Sequence, residues 1–377
     1  MKDFDFDLME LCMRGVRGLK PYEPGKPISE LQRELGLSDV IKLASNENPL
    51  GSSPKALTAI RAALTNLALY PDGQTHELRQ AIAARHSVAS GCITFGDGSD
   101  QNIEFLARVF LGPGWNAVFS KHAFAVYKIV TQAVGAENRE VEANPPAHPT
   151  APYGHNLDSL LQAVDANTRI VFLANPNNPT GTWFNRKSML DFLHRIPAKT
   201  LVVVDEAYIQ YVEEPEYPDC SRWLGEFPNL VVTRTFSKIY GLAGLRVGYS
   251  LSHPRVAALL NRVRQPFNVN NLAQIAAVAA LDDRDHVHRS MENNKHGMRQ
   301  LQEGFRALGL NWIPSIANFL SVDFKRPARP IYEALLREGV IVRPVNNYGL
   351  PNHLRITIGL PAQNDRLLAA LKNVLAA

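Results

Sequence analysis

The chain has 377 residues, of which 45% are hydrophobic and 20% are charged, and its formal net charge is +4. This composition is typical of a globular protein with a large core, built as two or three domains or as one large α/β domain with an appendage. The small positive charge gives no argument for nucleic-acid binding, and no apolar run approaches the roughly 20 residues that cross a membrane.

Cysteine usage indicates a reducing compartment. The three cysteines, Cys12, Cys92 and Cys220, are scattered and show no CxxC or CxxH spacing. We therefore expect neither a disulfide framework nor a metal site built on cysteine, and no metal enters the predicted chemistry. The N-terminal MKDFDFDLME is acidic and has no apolar core like that of a signal peptide. A soluble cytoplasmic protein is expected.

The first part of the chain, residues 1–45, is predicted to be an arm. Three prolines within the seven positions 21–27 favour an extended chain. Residues 31–35 are predicted to form a short helix that ends at a glycine. The polar sequence SNENPLG then indicates a loop, and a helix over 54–67 leads into the turn YPDG.

A large domain is predicted over residues 46–283. Helices and short strands alternate within it, which is the pattern of a mainly parallel sheet with helices on both faces. One strand leads through Gly96-Asp97-Gly98-Ser99-Asp100 into an amphipathic helix. Glycines before a helix N-terminus suit a phosphate, because backbone N–H groups are free there and the helix dipole is positive. An ordinary helix start, with Asp100 supplying negative charge to the first turn, explains the same residues.

Three later strands each end near a polar side chain. The strand over 169–174 runs into NPNNPTG, which contains Asn178, and the most apolar strand of the chain delivers Asp205. The strand over 230–232 leads to Lys238. The carboxyl ends of parallel strands meet at one edge of a sheet, where α/β proteins bind ligands. A carboxylate at the end of a buried strand is costly unless it is paired with a cation, so we expect these side chains to form one site.

Lys238 lies in a setting that suits a Schiff base. It follows a buried strand, small residues surround it in sequence, and Arg246 comes eight residues later. Such a lysine can bind an aldehyde cofactor covalently. Arg246 and the hydroxyls of Thr235 and Ser237 would then hold the phosphate of that cofactor. An exposed Lys-Arg pair on a loop is the plain alternative, since lysines usually lie at the surface.

The remaining residues, 284–377, are predicted to be a small α+β domain. Apolar residues at 4-3 spacing over 284–308 indicate one long helix, interpreted as the spine between the two domains. Three strands of a half-exposed sheet and two covering helices are expected after it. The strands are 318–324, 340–343 and 354–358, and the helices are 330–338 and 365–375. Arg343 and Arg355 lie on two of these strands, and periodicity alone assigns them to ordinary surface charge.

The motifs together resemble those of the fold-type I pyridoxal 5'-phosphate (PLP) aminotransferases of class II. The set is NPNNPTG, DEAY, SK with an arginine eight residues later, and LRITIG, in the family's order along nearly the whole chain. KPYEPGKP, LASNENPLG and YPDGQTHELR make the chain most similar to the histidinol-phosphate aminotransferases. The resemblance implies an α/β fold with a mainly parallel seven-stranded sheet, and PLP as cofactor. It also implies transamination between L-histidinol phosphate and 2-oxoglutarate in L-histidine biosynthesis.

The resemblance further implies roles for residues around the cofactor. Lys238 resembles the lysine that binds PLP and moves the proton, and Asp205 resembles the partner of the pyridine nitrogen. Tyr208 and Asn178 resemble the pair that hydrogen-bonds the phenolic oxygen of the cofactor. The residues at the positions of the phosphate anchor are Gly98, Ser99, Asp100, Ser237 and Arg246.

Further implied contacts concern the pyridine ring, the second subunit and the substrate. Phe124 stands where many relatives have a tyrosine stacked on the ring, so the stacking face is kept and the hydroxyl is lost. Tyr70 matches a tyrosine that reaches the phosphate of the neighbouring subunit, which implies a homodimer with shared active sites. Arg355 resembles the arginine that receives the amino-acid carboxylate. The other implied substrate contacts are Asn46, Tyr22 and Arg343, the last two directed at a substrate phosphate.

Three other functions stay open on the sequence. An aromatic amino-acid aminotransferase would carry out the same reaction on donors that also combine an anion and a flat ring. A threonine-phosphate decarboxylase shares the fold, and the sequence discriminates only weakly against it. A PLP-binding transcriptional regulator would need a DNA-binding domain before the motifs, and the roughly 45 residues there show no helix-turn-helix pattern.

Overall fold

The computed structural model describes residues 7–376. The strands are β1 Ile41–Lys42, β2 Ile93–Asp97, β3 Asn116–Ser120, β4 Glu137–Val141, β5 Thr168–Ala174, β6 Leu201–Asp205, β7 Leu230–Thr235, β8 Val247–Ser252, β9 Asn311–Ile313, β10 Phe319–Asp323, β11 Val340–Ile341, β12 Arg343–Pro344 and β13 His353–Thr357. The α-helices are α1 Arg14–Arg17, α2 Ile28–Leu35, α3 Pro54–Ala63, α4 His76–His86, α5 Ser99–Phe110, α6 Ala125–Ala133, α7 Leu157–Gln162, α8 Arg186–Arg195, α9 Pro254–Val263, α10 Asn271–Leu281, α11 Arg284–Ala307, α12 Arg329–Arg337 and α13 Pro361–Ala376.

A seven-stranded sheet forms the centre of the larger part of the molecule. Its order is β2-β8-β7-β6-β5-β3-β4. All neighbours in it are parallel except β8, which runs antiparallel to both β2 and β7. The predicted mainly parallel seven-stranded sheet of an α/β fold is therefore confirmed.

The central strands are apolar along their whole length because both faces of the sheet are covered. Val202 and Val204 pack into one core with α4, α8 and α10. Val203, between them, points into the opposite core with α5, α6 and α9. Burial on both faces explains why β5, β6 and β7 appear in the sequence as continuous apolar runs rather than as an alternation.

Several helices begin at side chains that cap their first turn. Asn185 accepts a hydrogen bond from Ser188 N at 2.9 Å before α8, and Asn270 accepts one from Ala273 N at 2.8 Å before α10. Asp283 accepts one from His286 N at 3.3 Å before α11. These bonds satisfy N–H groups that have no partner within the helix, so they fix where each helix starts.

The C-terminal part contains an antiparallel sheet of order β12-β13-β10-β9 and a separate parallel pair, β1-β11. The predicted single strand over 340–343 is therefore wrong. Its first half pairs with Ile41–Lys42 from the arm, and Arg343–Pro344 pairs with β13. The chain leaves one sheet and enters the other at Val342 because the arm supplies a second pairing partner.

The prediction that the C-terminal sheet is half exposed is also wrong. Every residue of β13 is buried, and four of the five residues of β10 are buried. The polar residues of the alternation face the larger part of the molecule instead of solvent. Ser321 of β10, for example, donates a hydrogen bond to the carbonyl of Pro179. The alternation of polar and apolar residues in β10 and β13 therefore indicates a sheet whose polar face packs against another part of the chain, not against solvent.

The long helix α11 contacts two hydrophobic cores. Val287 and Met291 near its start pack against the core of the central sheet. Leu301 and Phe305 near its end belong to the core of the C-terminal sheet. We propose, on this support, that α11 is the spine between a large domain over 46–283 and a small domain over 284–377, with residues 1–45 as an arm. Within residues 7–376, no helix combines the length and the apolar character that a membrane span requires.

Candidate active site

A cavity of about 430 Å³ lies at the carboxyl edge of the central sheet, within the size range of small-molecule sites. All predicted site residues except Gly98 and Tyr70 line it. They are Tyr22, Asn46, Ser99, Asp100, Phe124, Asn178, Asp205, Tyr208, Ser237, Lys238, Arg246, Arg343 and Arg355. The structure thus brings together residues that are more than 330 positions apart in the sequence.

Lys238 reaches into this cavity from the loop after β7. Its Nζ donates a hydrogen bond to the carbonyl of Ser45 at 3.2 Å and lies 5.7 Å from the ring centre of Tyr208. Burial lowers the pKa of Lys238 to about 8, and the positive charge of Arg355 contributes to the shift. Because a neutral amine is the nucleophile, this environment favours a reactive lysine over a permanent cation.

Asp205 ends β6 and is held by two hydroxyl groups. Tyr127 donates a hydrogen bond to Oδ2 at 3.0 Å, and Thr233, its register partner on β7, donates one to Oδ1 at 3.0 Å. Burial raises the pKa of Asp205 to about 6, and the two hydrogen bonds act against that rise. A buried carboxylate with both oxygens fixed can receive one cationic N–H group from a ligand.

The turn before α5 forms a cradle for an anion. The helix starts at Ser99, and Gly98 precedes it with φ +78° and no side-chain cap. A Cβ atom on Gly98 would lie 2.3 Å from Arg246 Nη2, and one on Gly248 of β8 would lie 2.3 Å from the Ser99 nitrogen. Arg246 also lies 3.5 Å from an Asp100 oxygen. The backbone at the start of α5 and the guanidinium of Arg246 therefore lie close together, and such a combination of donors suits a phosphate.

Another part of the cavity lining is joined by hydrogen bonds around Arg355. Its Nη1 donates to Asn178 Oδ1, and its Nη2 donates to the carbonyl of Ala44 at 2.6 Å. Its Nε is buried without a protein partner among the described residues. Asn46 donates to the Tyr208 hydroxyl at 2.9 Å. Two hydrogen bonds thus hold the guanidinium of Arg355 at the cavity wall.

Arg343 and Arg355 are not surface residues, so the assignment from periodicity alone is wrong. Their exposed fractions are 6% and 5%. The guanidinium of Arg343 donates to the carbonyl of Glu23 and lies 5.7 Å from the ring centre of Tyr22. Both side chains lie on the face of the C-terminal sheet that covers the cavity.

Phe124 caps α6 and packs edge-on against two tyrosines. Its ring centre lies 6.4 Å from that of Tyr22 and 5.9 Å from that of Tyr127. Tyr127 in turn stacks on Phe172 of β5 at 4.8 Å. These contacts fix the ring of Phe124 at the cavity wall.

Tyr70 lies outside this cavity. It is 83% exposed and stacks on Phe267 with ring centres 4.8 Å apart. Exposed leucines, Leu67 and Leu69, lie next to it. In one copy of the chain, Tyr70 therefore contributes to an apolar surface and not to the site of its own subunit.

Two hydroxyl groups and one ion pair around β6 and β7 are not predicted from the sequence. The hydroxyls of Tyr127 and Thr233, which hold Asp205, are not among the residues predicted from the sequence. Glu206 and Arg234 form a fully buried pair at 2.7 Å. The register of β6 and β7 brings these groups together: Thr233 is the partner of Asp205, and a side-chain hydrogen bond joins the next residues, Arg234 and Glu206.

Known proteins with similar sequences and structures share this arrangement of the chain. The family model for aminotransferase class I and II matches residues 38–371. Histidinol-phosphate aminotransferase 2 of Pseudomonas aeruginosa is 58% identical over 372 residues, which cover 98% of this chain and 99% of that protein. Histidinol-phosphate aminotransferase 2 of Methylococcus capsulatus is 52% identical over 365 residues, 97% of this chain and 98% of that protein.

A solved structure is similar over the same length. The crystal structure of histidinol-phosphate aminotransferase from Sinorhizobium meliloti, in complex with pyridoxal-5'-phosphate, matches with a TM-score of 0.88 and 28% identity. It covers 100% of this chain, which in turn covers 98% of it. Because sequence and fold both match over nearly the full length, the chain belongs to the class I and II aminotransferase family.

Proposed function

We propose that the protein is a PLP-dependent aminotransferase that exchanges the amino group between L-histidinol phosphate and 2-oxoglutarate, giving imidazole acetol phosphate and L-glutamate. The step belongs to L-histidine biosynthesis, and we place it in the cytoplasm. The observation that carries the choice of donor is the buried Arg343 beside Tyr22, a second cationic position in the same cavity as Arg355. Relatives of 50–58% identity with the matching name support it.

The residues of the cavity fit PLP. An anion cradle, a buried carboxylate and a lysine whose pKa is lowered to about 8 surround one space. When bound, the cofactor supplies an aldehyde for covalent attachment and a ring that accepts electrons. Lys238 is the attachment point in this proposal, and the cradle around Gly98, Ser99, Asp100, Ser237 and Arg246 holds the phosphate.

The remaining cofactor contacts orient the ring. Asp205 holds the proton on the pyridine nitrogen, which keeps the ring electron-poor. Tyr208 and Asn178 donate to the phenolic oxygen, and Phe124 covers one face of the ring. Lys238 Nζ, which lies in the same cavity, would be the group that moves the proton from the substrate Cα.

The substrate contacts divide between two anions. Arg355, whose side chain lines the cavity, binds the α-carboxylate of glutamate. Histidinol phosphate has no carboxylate, and its phosphate ester carries more charge and more acceptor oxygens. Arg343 and Tyr22 add donors for that ester, and Asn46 holds the Tyr208 hydroxyl in place at 2.9 Å.

A homodimer with shared active sites is part of the proposal. Its support is the exposed apolar surface around Tyr70 and Phe267, which also includes Leu67 and Leu69. A contiguous apolar surface of this kind is typical of an interface. Tyr70 would reach the phosphate of the partner's cofactor. Full activity of a protein that sedimentation shows to be monomeric at assay concentration would rule this out.

The test is a panel of amino donors with purified protein and 2-oxoglutarate. We expect a higher kcat/KM for histidinol phosphate than for phenylalanine or tyrosine, and no release of carbon dioxide from threonine phosphate. Preference for the aromatic amino acids would make the protein an aromatic aminotransferase instead. Arg343→Ala should lower kcat/KM for histidinol phosphate by about ten- to a hundredfold, the effect of one lost charged contact, and affect glutamate less. Arg337→Ala, an exposed arginine on α12, is the matched control.

A further inference from the structure

Residues 19–27, here called the strap, cross the cavity as an extended segment between α1 and α2. Tyr22 and Gly25 of the strap line the cavity. The carbonyl of Glu23 accepts a hydrogen bond from Arg343, and the ring of Tyr22 lies beside the same guanidinium. The strap therefore positions the residues proposed to meet the phosphate ester of the donor.

The C-terminal end of the strap is fastened by side-chain burial. Leu31 of α2 is fully buried and packs with Ala44 and Ile341 on the β1-β11 side of the molecule. Lys26 forms ion pairs of 2.8 Å with Glu30 and Glu34 of the same helix. The C-terminal end of the strap is therefore held by a buried apolar contact of α2, with ion pairs beside it.

The N-terminal end has no such burial. Helix α1 contains no buried residue. It is held instead by backbone contact between Gly15 and Gln132 in the last turn of α6. Gln132 Nε2 donates to the Gly15 carbonyl at 3.1 Å. A Cβ atom on Gly15 would lie 1.9 Å from the Gln132 carbonyl oxygen and 3.0 Å from the Gly135 nitrogen, so glycine is required for this approach.

We infer that Gly15 is a positioning residue that selects the donor. It docks α1 on α6, the helix that Phe124 caps, and so holds the strap across the cavity from both ends. With the strap undocked, Tyr22 and the Glu23 carbonyl no longer hold the guanidinium of Arg343 toward the cavity. Glutamate has no phosphate and is bound by Arg355, so its half-reaction does not depend on this contact. The inference rests on the proposed function.

The test compares Gly15→Ala with Gly18→Ala in the two half-reactions, followed separately by the absorbance of the cofactor. Gly18 is the matched control, since a Cβ atom there meets nothing within 4 Å and its φ is −105°. We expect Gly15→Ala to lower kcat/KM for histidinol phosphate by about tenfold, as for one lost charged contact, and that for glutamate by less than about twofold. Gly18→Ala should change neither. Equal losses in both half-reactions, or no loss, would overturn the role.

A measurement independent of turnover separates this inference from the proposed function. Chymotrypsin cleavage after Tyr22 should be at least about tenfold faster in Gly15→Ala than in the wild type or Gly18→Ala, because local opening exposes the strap. Gln132→Leu removes only the hydrogen bond that Gln132 donates to Gly15. It should change kcat/KM for histidinol phosphate and the cleavage rate in the same directions as Gly15→Ala, but by smaller factors. Unchanged cleavage refutes the docking whatever the donor is. If cleavage is faster in Gly15→Ala but the wild-type protein does not use histidinol phosphate as a donor, the docking of α1 on α6 is supported and the proposed function is refuted.

Discussion

The hydroxyl of Tyr127 donates a hydrogen bond of 3.0 Å to Oδ2 of Asp205, at the end of the most apolar strand in the sheet. The oxygen of Tyr127 is buried, and burial together with the charge of Asp205 raises the pKa of this tyrosine well above its ordinary value. Tyr127 therefore stays protonated and serves only as a donor. Its role is to keep a carboxylate ionised in a place where burial favours the neutral acid.

Tyr127→Phe should consequently raise the pKa of Asp205 further above about 6, because a bond that favours the ionised form is lost. The fraction of ionised Asp205 at neutral pH then falls, and the acidic limb of the kcat profile moves to higher pH. We expect kcat at pH 7 to fall by about tenfold, the effect of one hydrogen bond to a charged group. Tyr211→Phe, a buried tyrosine outside the cavity lining, is the control. Identical pH profiles for wild type and Tyr127→Phe would contradict the role.

The lowered pKa of Lys238 predicts how cofactor uptake depends on pH. Only the neutral amine attacks the aldehyde, so the rate at which apoprotein binds PLP covalently should rise with pH and level off above about 8. Arg355→Ala removes a positive charge that lowers the pKa of Lys238. The midpoint of the pH dependence of PLP binding should therefore lie at higher pH in this variant. Stopped-flow absorbance of the bound cofactor measures the rate. A midpoint near the ordinary lysine value of 10.5 would show that burial has no such effect.

The part of this cavity at the carboxyl edge of the central sheet could be predicted from the sequence because it follows from topology. Parallel strands end at one edge of a sheet, so the sequence alone predicts that Asn178, Asp205 and Lys238 lie close together. Tyr127 was not accessible in this way. An aromatic residue at the start of a helix packs into the core in most proteins, and nothing local shows that its hydroxyl meets a carboxylate from β6.

For the C-terminal sheet, the sequence predicts the strands but not their long-range partners. Alternation along β13 revealed the strand but not what lies against its polar face. Arg355 alternates as a surface residue does, yet the partner that buries it is the loop carrying Ala44 and Asn46, more than 300 positions away. The break at Val342 has the same cause, since its pairing partner is Ile41–Lys42. Contacts of this range are not encoded in the residues of either strand alone.

The close approach of β8 to the start of α5 predicts a loss of cofactor affinity. In Gly248→Ala the new Cβ atom would lie 2.3 Å from the Ser99 nitrogen, so the first turn of α5 must move away from the strand. We expect the dissociation constant of PLP to rise by at least about tenfold, as for one displaced anion contact. Gly244→Ala has nothing within 4 Å of its Cβ and should bind normally. Equilibrium dialysis with both variants decides between these outcomes.

The buried pair of Glu206 and Arg234 predicts a large effect on stability. Glu206 Oε2 lies 2.7 Å from Arg234 Nη2, and Asp219 lies 2.6 Å from the same nitrogen. Arg234→Met leaves Glu206 buried without its cation, so the free energy of unfolding should fall by about 3–5 kcal/mol. Arg329→Met removes one partner of an exposed pair with Glu333 and should leave it nearly unchanged. Urea denaturation of both variants measures the difference, and similar midpoints would refute the prediction.

Two different parts of the chain supply the two halves of the cavity. The lysine, the carboxylate and the anion cradle come from the central sheet and α5, whereas Tyr22 belongs to the strap and Arg343 to β12. Substitutions at the second set leave the packing of the central sheet intact. Natural divergence or directed evolution can therefore change the lining of the cavity at the strap and β12 while the lysine, the carboxylate and the anion cradle stay the same.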